Sequence, residues 1–194
     1  MEQLNLGKHL AWVYSSEDER LHVSIPFVKY ALAKRGRCLI VGSTRLNDKL
    51  KAALEASEVN VSAYTAKDEL LFLSPEDIGL GKGSFDPETL LHEIKRQIRL
   101  AVNKGWQGLY LSADCSTLLR LIENEDEWIQ FEGLLEQQLF NDPVKVLCQY
   151  DSHATSGHVL ATILKIHPVI GLGNSLGTNP FYADPSSFLI HPLN

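Results

Sequence analysis

A chain of 194 residues, 44% of them hydrophobic and 22% charged, has ordinary globular composition and can bury one substantial core, so a single domain over residues 1–194 is the economical reading. Its formal net charge of −6 argues against direct nucleic-acid binding or an anionic membrane surface, since such partners are held chiefly by clustered Lys and Arg. No charged-then-apolar leader opens the sequence and no apolar run approaches the roughly 20 residues that span a bilayer, so a cytoplasmic protein without a membrane partner is expected.

Apolar runs of strand length alternate with stretches of helical period, the pattern of a parallel sheet covered by helices. The first run is His9 to Tyr14. Ser15, Ser16, Glu17 and Asp18 then supply N-cap oxygens and an acidic first turn, and Leu21, Ile25, Val28 and Leu32 recur at helical spacing up to a stop at Gly36. Cys38 to Gly42 reads as a second strand, apolar throughout as a strand buried on both faces should be. A helix from about Asn47 to Ala56 and a third strand from Glu69 to Leu73 follow. The Gly-rich loop Gly79 to Ser84 leads into Asp86-Pro87-Glu88, a helix start with Pro in the first turn, and Leu91, Ile94, Ile98 and Ala101 give that helix its buried stripe.

Leu109 to Leu111 makes a fourth strand ending at Ser112-Ala113-Asp114, and Trp128, Phe131, Leu135 and Leu139 mark a helix facing the core. Val144 to Tyr150 is a fifth strand. A helix near His158 to Lys165 precedes a sixth, His167 to Gly171, and a tail rich in Pro, Gly and Ser. The fold class expected is three-layer α/β, with a mainly parallel central sheet of about six strands and helices on both faces.

Cys38, Cys115 and Cys148 are widely spaced and form no CxxC pair, which suits reduced thiols. Cys38 and Cys148, inside predicted strands, read as small buried hydrophobes, with a thiol lining a pocket as the alternative. Cys115 lies just beyond a strand end. His153, His158 and His167, drawn together with Cys148 and Asp151, fail as a metal site. Residues five apart lie on different helix faces, whereas a chelating pair wants a step of three or four. Surface or capping histidines, no metal and no cofactor are therefore expected.

A phosphate-binding loop requires Gly, four residues, then Gly-Lys-Ser/Thr. Here Gly81-Lys82 is followed by Gly83, and Glu76 stands where the first Gly belongs, so the match fails and ATP binding is expected to be weak at most. Gly171 to Gly177 imitates a dinucleotide fingerprint with its third Gly displaced, and reads as a flexible turn. No Ser–His–Asp or Gly-x-Ser-x-Gly arrangement supports catalysis. Open parallel sheets bind ligands at the carboxyl ends of their strands, so the predicted lining is Tyr14, Ser15, Gly42, Ser43, Asp114, Cys115, Gln149, Tyr150 and Asp151, with Arg45 as the nearest cation for Asp114. Helix capping is the competing role for these polar residues.

The order of segments resembles the MEDS domain, the sensory domain of methanogen and methylotroph proteins and of the dichloromethane-dehalogenase regulator. The resemblance rests on His9 to Tyr14 with its acidic continuation, Gly36 to Val41, Gly83 to Pro87, Gly108 to Asp114, Leu147 to Asp151, His167-Pro168 and Asn179 to Tyr182. Asp114 stands where the family pattern has Glu. The resemblance implies a RecA/KaiC-like fold with a degenerate phosphate loop, and a role in sensing small hydrocarbon-derived molecules for signal transduction or transcriptional regulation. Relatives of this kind are often joined to a histidine kinase, an anti-sigma-type kinase or a helix-turn-helix. No output module is readable after Asn179-Pro180, so the expected partners are a small-molecule ligand and a histidine kinase or regulator. A divergent nucleotide-binding protein or ATPase, or a hydrolase using Asp114 or Asp151, is the alternative. A third reading is a scaffold or homodimer packed through Phe181, Tyr182 and Phe188.

Overall fold

Central strands that are apolar at every position must be covered on both sides, because successive side chains point to opposite faces of a sheet. The computed structural model describes residues 8–80, 85–139, 141–173 and 175–184, so residues 81–84 of the Gly-rich loop and Phe188 of the tail lie outside the described residues. The elements run β1 (His9–Tyr14), α1 (Glu17–Ala33), β2 (Arg37–Val41), α2 (Thr44–Ala56), α3 (Val61–Ala66) and β3 (Leu70–Leu73), then a 3₁₀ turn (Glu76–Ile78). They continue with α4 (Pro87–Asn103), β4 (Leu109–Asp114), α5 (Cys115–Leu119), α6 (Glu125–Gln138), β5 (Val144–Asp151), α7 (Gly157–Ile166), β6 (Val169–Leu172) and β7 (Ser175–Thr178). In β1, β2 and β4 every residue is buried whichever way it points.

Among the described residues the sheet has seven strands in the order β3-β2-β4-β5-β1-β6-β7, parallel throughout except for the antiparallel β6–β7 pair. Alternation divides the interior in two. Leu10, Trp12 and Tyr14 of β1, Cys38 and Ile40 of β2, Tyr110 of β4 and Leu147 of β5 pack with residues of α1, α2 and α3. On the other face, Ala11, Val13, Leu39, Val41, Leu111, Ala113, Val146, Cys148 and Tyr150 pack with residues of α4, α5, α6 and α7. His9 shares the parity of Ala11 and Val13 and so points toward α6.

The structure adds short elements to the sequence reading. The helices α3 and α5 each hold barely more than a turn, and their caps, Asn60 and Asp114, are common loop residues as well. The Gly171 to Gly177 stretch, expected as a flexible turn, instead contributes to β6 and β7, with Gly173 at a φ of +57° between them. Among the described residues no helix is long and apolar enough to cross a membrane.

Gly171 is required by packing. A Cβ built there would lie 1.9 Å from Cε3 of Trp12, whose ring is buried at the β1–β6 pairing. The substitution Gly171→Ala should therefore destabilise the fold by about 1–3 kcal/mol, read from chemical denaturation followed by tryptophan fluorescence. An unchanged midpoint would show that the Trp12 ring can move aside freely.

Candidate functional site

Among the described residues, the face of the sheet beneath α4 and α6 does not fill completely. A cavity of about 180 Å³ lies between strands β2, β3 and β4 and those helices, walled by Leu39, Val41, Leu73, Leu90, Ile94, Leu111, Ala113, Trp128 and Phe131. One side reaches Glu93 and the exposed Arg96, and the lining also includes Cys115, Glu132 and Cys148.

Glu132 is the centre of that polar end. It sits one helical turn from Trp128 on the buried stripe of α6 and is wholly inaccessible, at 0% exposure. Oε2 of its carboxylate lies 3.0 Å from Nε2 of His9, 3.6 Å from Sγ of Cys148 and 3.5 Å from Nε2 of His167. Its other oxygen accepts the hydroxyl of Tyr150 and lies 3.9 Å from Sγ of Cys115, while the Trp128 indole N–H donates to the Tyr150 oxygen at 3.2 Å. One helical turn on, Glu136 meets Nδ1 of His9 at 3.0 Å and accepts the Tyr182 hydroxyl at 3.1 Å. The ring of His167 packs at 3.9 Å, centroid to centroid, on that of His9.

Burial and contact pull on these groups in opposite directions. For Glu132 burial favours the neutral acid, but His167 and His9 override it and hold the carboxyl well below the usual carboxylate range. For His9 burial works to lower the pKa, yet hydrogen bonds to Glu132 and Glu136 raise it to about 9. His167 is lowered, first by burial and then by the neighbouring His9 charge. Burial pushes the thiols of Cys148 and Cys115 and the phenol of Tyr150 upward, so all three hold their protons as donors.

The residues predicted at the strand ends separate onto different surfaces. Register sets Val13 beside Tyr150 and Tyr14 beside Asp151, so the side chains of Tyr14 and Tyr150 point to opposite faces and cannot line one crevice together. At the carboxyl edge, Tyr14 donates to Asp114 at 2.8 Å. Asp114 caps α5 by accepting from Thr117 N–H at 2.8 Å, so its partners are Tyr14 and Thr117 where Arg45 was expected. Ser43 caps α2, a Cβ built at Gly42 would lie 3.6 Å from the Asp114 Cβ, and the backbone and hydroxyl of Ser15 both donate to Glu19. Gln149 is buried toward α1, donating to Ser112 at 2.7 Å. Asp151 accepts the His153 N–H at 2.9 Å. Cys115 alone of the nine reaches the cavity wall, while Tyr150 holds Glu132 from behind.

Of the sequence candidates for a metal, His153 and His158 are exposed, each beside an aspartate, and only His167 and Cys148 join the buried cluster. The residues missed were His9, Glu132 and Glu136. The readable signal was two glutamates four apart inside the apolar stripe Trp128, Phe131, Leu135 and Leu139, where charge does not belong unless it is paired. Cys148, read first as a small hydrophobe, is a member of a polar cluster.

The layered architecture defines the class. A KaiC-like protein from the hyperthermophilic archaeon Pyrococcus horikoshii superposes with a TM-score of 0.58 at 12% identity, covering 84% of this chain and 69% of that one. An uncharacterized Pyrococcus horikoshii protein solved with an unknown peptide gives a TM-score of 0.60 at 12% identity, covering 84% and 76%. The fold is thus RecA/KaiC-like. No curated protein sequence matches the chain. The family pattern of MEDS, the MEthanogen/methylotroph, DcmR Sensory domain, matches residues 8–168, and the chain belongs to this family of sensory domains.

The capping role of Asp114 can be measured. Asp114→Ala should cost about 1–2 kcal/mol by removing the cap and stranding the Tyr14 hydroxyl, whereas Asp114→Asn, which still accepts from Thr117, should stay within about 1 kcal/mol of the wild type. Equal losses from both in urea denaturation would refute the capping account.

Proposed function

We propose that the protein senses a small, weakly polar organic molecule of the hydrocarbon-derived kind, taken into the cavity beneath α4 and α6. The observation that carries this reading is the cavity itself: apolar over most of its wall, with thiols and a carboxylate at one end. An apolar protein cavity of about 150 Å³ accepts benzene, so a space of about 180 Å³ suits a ligand of that order. Removal of such a molecule from water supplies about 25 cal/mol per Å² of apolar surface, and the polar end can orient a halogen or oxygen substituent.

A nucleotide is disfavoured by the β1–α1 turn. Where backbone N–H groups would cradle phosphate, Glu19 accepts from Ser15 N–H at 2.7 Å, and Glu17 and Asp18 add further negative charge. Signalling follows from which helices cover the cavity. Filling it acts on α4 and α6 together, so a ligand that prefers one spacing of these helices shifts the population that a partner such as a histidine kinase or regulator reads. Three free, buried thiols suit action in a reducing cytoplasm.

Benzene and dichloromethane are the first probes. Either should raise the unfolding temperature by about 3–6 °C at ten times its dissociation constant, and acetate, being charged, should not. Ala113→Leu, which fills the cavity, should abolish the shift in a folded protein, while Gln149→Ala on the opposite face should preserve it. Loss of binding in Gln149→Ala with retention in Ala113→Leu would move the site to the other face of the sheet.

A further inference from the structure

We propose that His9, Glu132, Cys148 and His167 form a binding site for one divalent transition-metal ion, for which zinc suits the donor set best. One ligand atom from each residue lies within 4.8 Å of all the others, and all four residues are buried. The separations are 3.0 Å between His9 Nε2 and Glu132 Oε2, 3.4 Å between His9 Nε2 and Cys148 Sγ, 3.5 Å between His167 Nε2 and Glu132 Oε2, and 3.6 Å between Cys148 Sγ and Glu132 Oε2. Tetrahedral ligands bonded at about 2.0–2.3 Å stand about 3.3–3.8 Å from one another, so three of these four distances already have the required size.

The outer contacts have the form a metal site needs. Nδ1 of His167 lies 2.9 Å from the Ile163 carbonyl oxygen, which can only accept, so the ring carries its proton on Nδ1 and turns the Nε2 lone pair inward. Nδ1 of His9 is held at 3.0 Å by Glu136, a carboxylate that orients the imidazole from outside the cluster. Tyr150 and Cys115 engage Oε1 of Glu132, leaving Oε2 turned toward both rings and the Cys148 sulfur.

A second observation points to a cation. Among the described residues Nε2 of His167, which is buried, has no hydrogen-bond partner, and its neighbour at 3.5 Å is a carboxylate oxygen, another acceptor. With the ring neutral and its proton on Nδ1, that nitrogen turns a lone pair toward the carboxylate, a pairing that a metal ion between them satisfies. Two imidazoles, a thiolate and a carboxylate suit zinc and its neighbours, whereas calcium and magnesium take oxygen ligands. Binding releases the Cys148 thiol proton, and any proton on His9 Nε2, to solvent. The site stands without the cavity ligand. That a ligand donor atom would meet the metal beside Glu132 and Cys148 is a consequence resting on the sensing reading above.

Cobalt(II) titration of the chelator-treated full chain, without organic ligand, tests the site alone. Absorption should saturate at one ion per chain, with visible bands of a four-coordinate ion and a near-ultraviolet thiolate-to-cobalt band, both removed by zinc. Cys148→Ser should erase the near-ultraviolet band, His167→Ala should weaken binding by at least about 10-fold, and Glu136→Gln by about 10- to 100-fold through the orientation of His9. A folded wild type that shows no saturable bands, or the same spectrum and affinity in Cys148→Ser and His167→Ala, overturns the proposal. Should a variant not fold, elemental analysis of zinc-loaded, gel-filtered wild type decides: one ion per chain supports the site and none refutes it.

Discussion

A carboxylate with no access to water governs one half of this molecule. Moving a lone carboxylate into a protein interior costs several kcal/mol, so Glu132 is tolerated only while its oxygens are surrounded by groups that hold it. Those groups are His9 from β1, Cys148 and Tyr150 from β5, and Trp128 from its own helix through Tyr150, with His167 beside them at the end of α7. The position of α6 over the sheet is thereby fixed by polar geometry as well as by apolar packing. Because α6 also contacts α7 through Ser156, whose hydroxyl donates to Glu125 at 2.7 Å, α7 meets α6 near both of its ends.

The two faces of the sheet consequently differ in kind. Toward α1, α2 and α3, Leu10, Trp12, Ile40, Leu50, Leu54 and Leu70 make an apolar core. Toward α4 and α6, the need to keep Glu132 paired holds α6 in register with β1 and β5, and apolar side chains further along β2 and β3 leave space beneath α4. A void of this size would be expected to cost stability, since lining atoms lose contacts on one side. Its retention beside a cluster of donors is understandable if the space serves binding.

Most of the architecture was legible in the sequence for one physical reason. Strands buried on both faces are predominantly apolar runs, so His9 to Tyr14, Cys38 to Val41 and Val144 to Tyr150 announced themselves, and Asp86-Pro87 marked the start of α4 by its capping chemistry. The elements not read, α3, α5 and β7, are short, and short elements carry too few residues for a period to show. The polar cluster was hidden for a different reason. His9 and Cys148 are 139 residues apart, and no spacing rule written for one helix joins them. They meet because β1 pairs with β5 in a register that sets Ala11 beside Cys148, which is knowledge of topology and not of local pattern. Glu132 and Glu136 were the visible trace, two acids on a stripe that otherwise reads as core.

A parallel sheet offers a ligand two places, the carboxyl edge of its strands and the interface between sheet and helices. Here the edge is already engaged with itself. Tyr14 and Asp114 are bonded to each other, Asp114 and Ser43 cap helices, Ser15 is bound to Glu19, and Asn47 donates to the Gly42 and Leu73 carbonyls. A ligand entering there must replace intramolecular bonds one for one, which leaves little net gain. At the interface beneath α4 and α6 the balance is reversed: the volume is open, its wall is apolar, and Cys115, Cys148 and Glu132 line it. Burial there removes apolar surface from water without breaking a bond inside the protein. The first turn is closed by the chain's own carboxylate, Glu19 accepting from Ser15 N–H, whereas the apolar space beside Glu132 at the flank of the sheet has no such internal partner to displace.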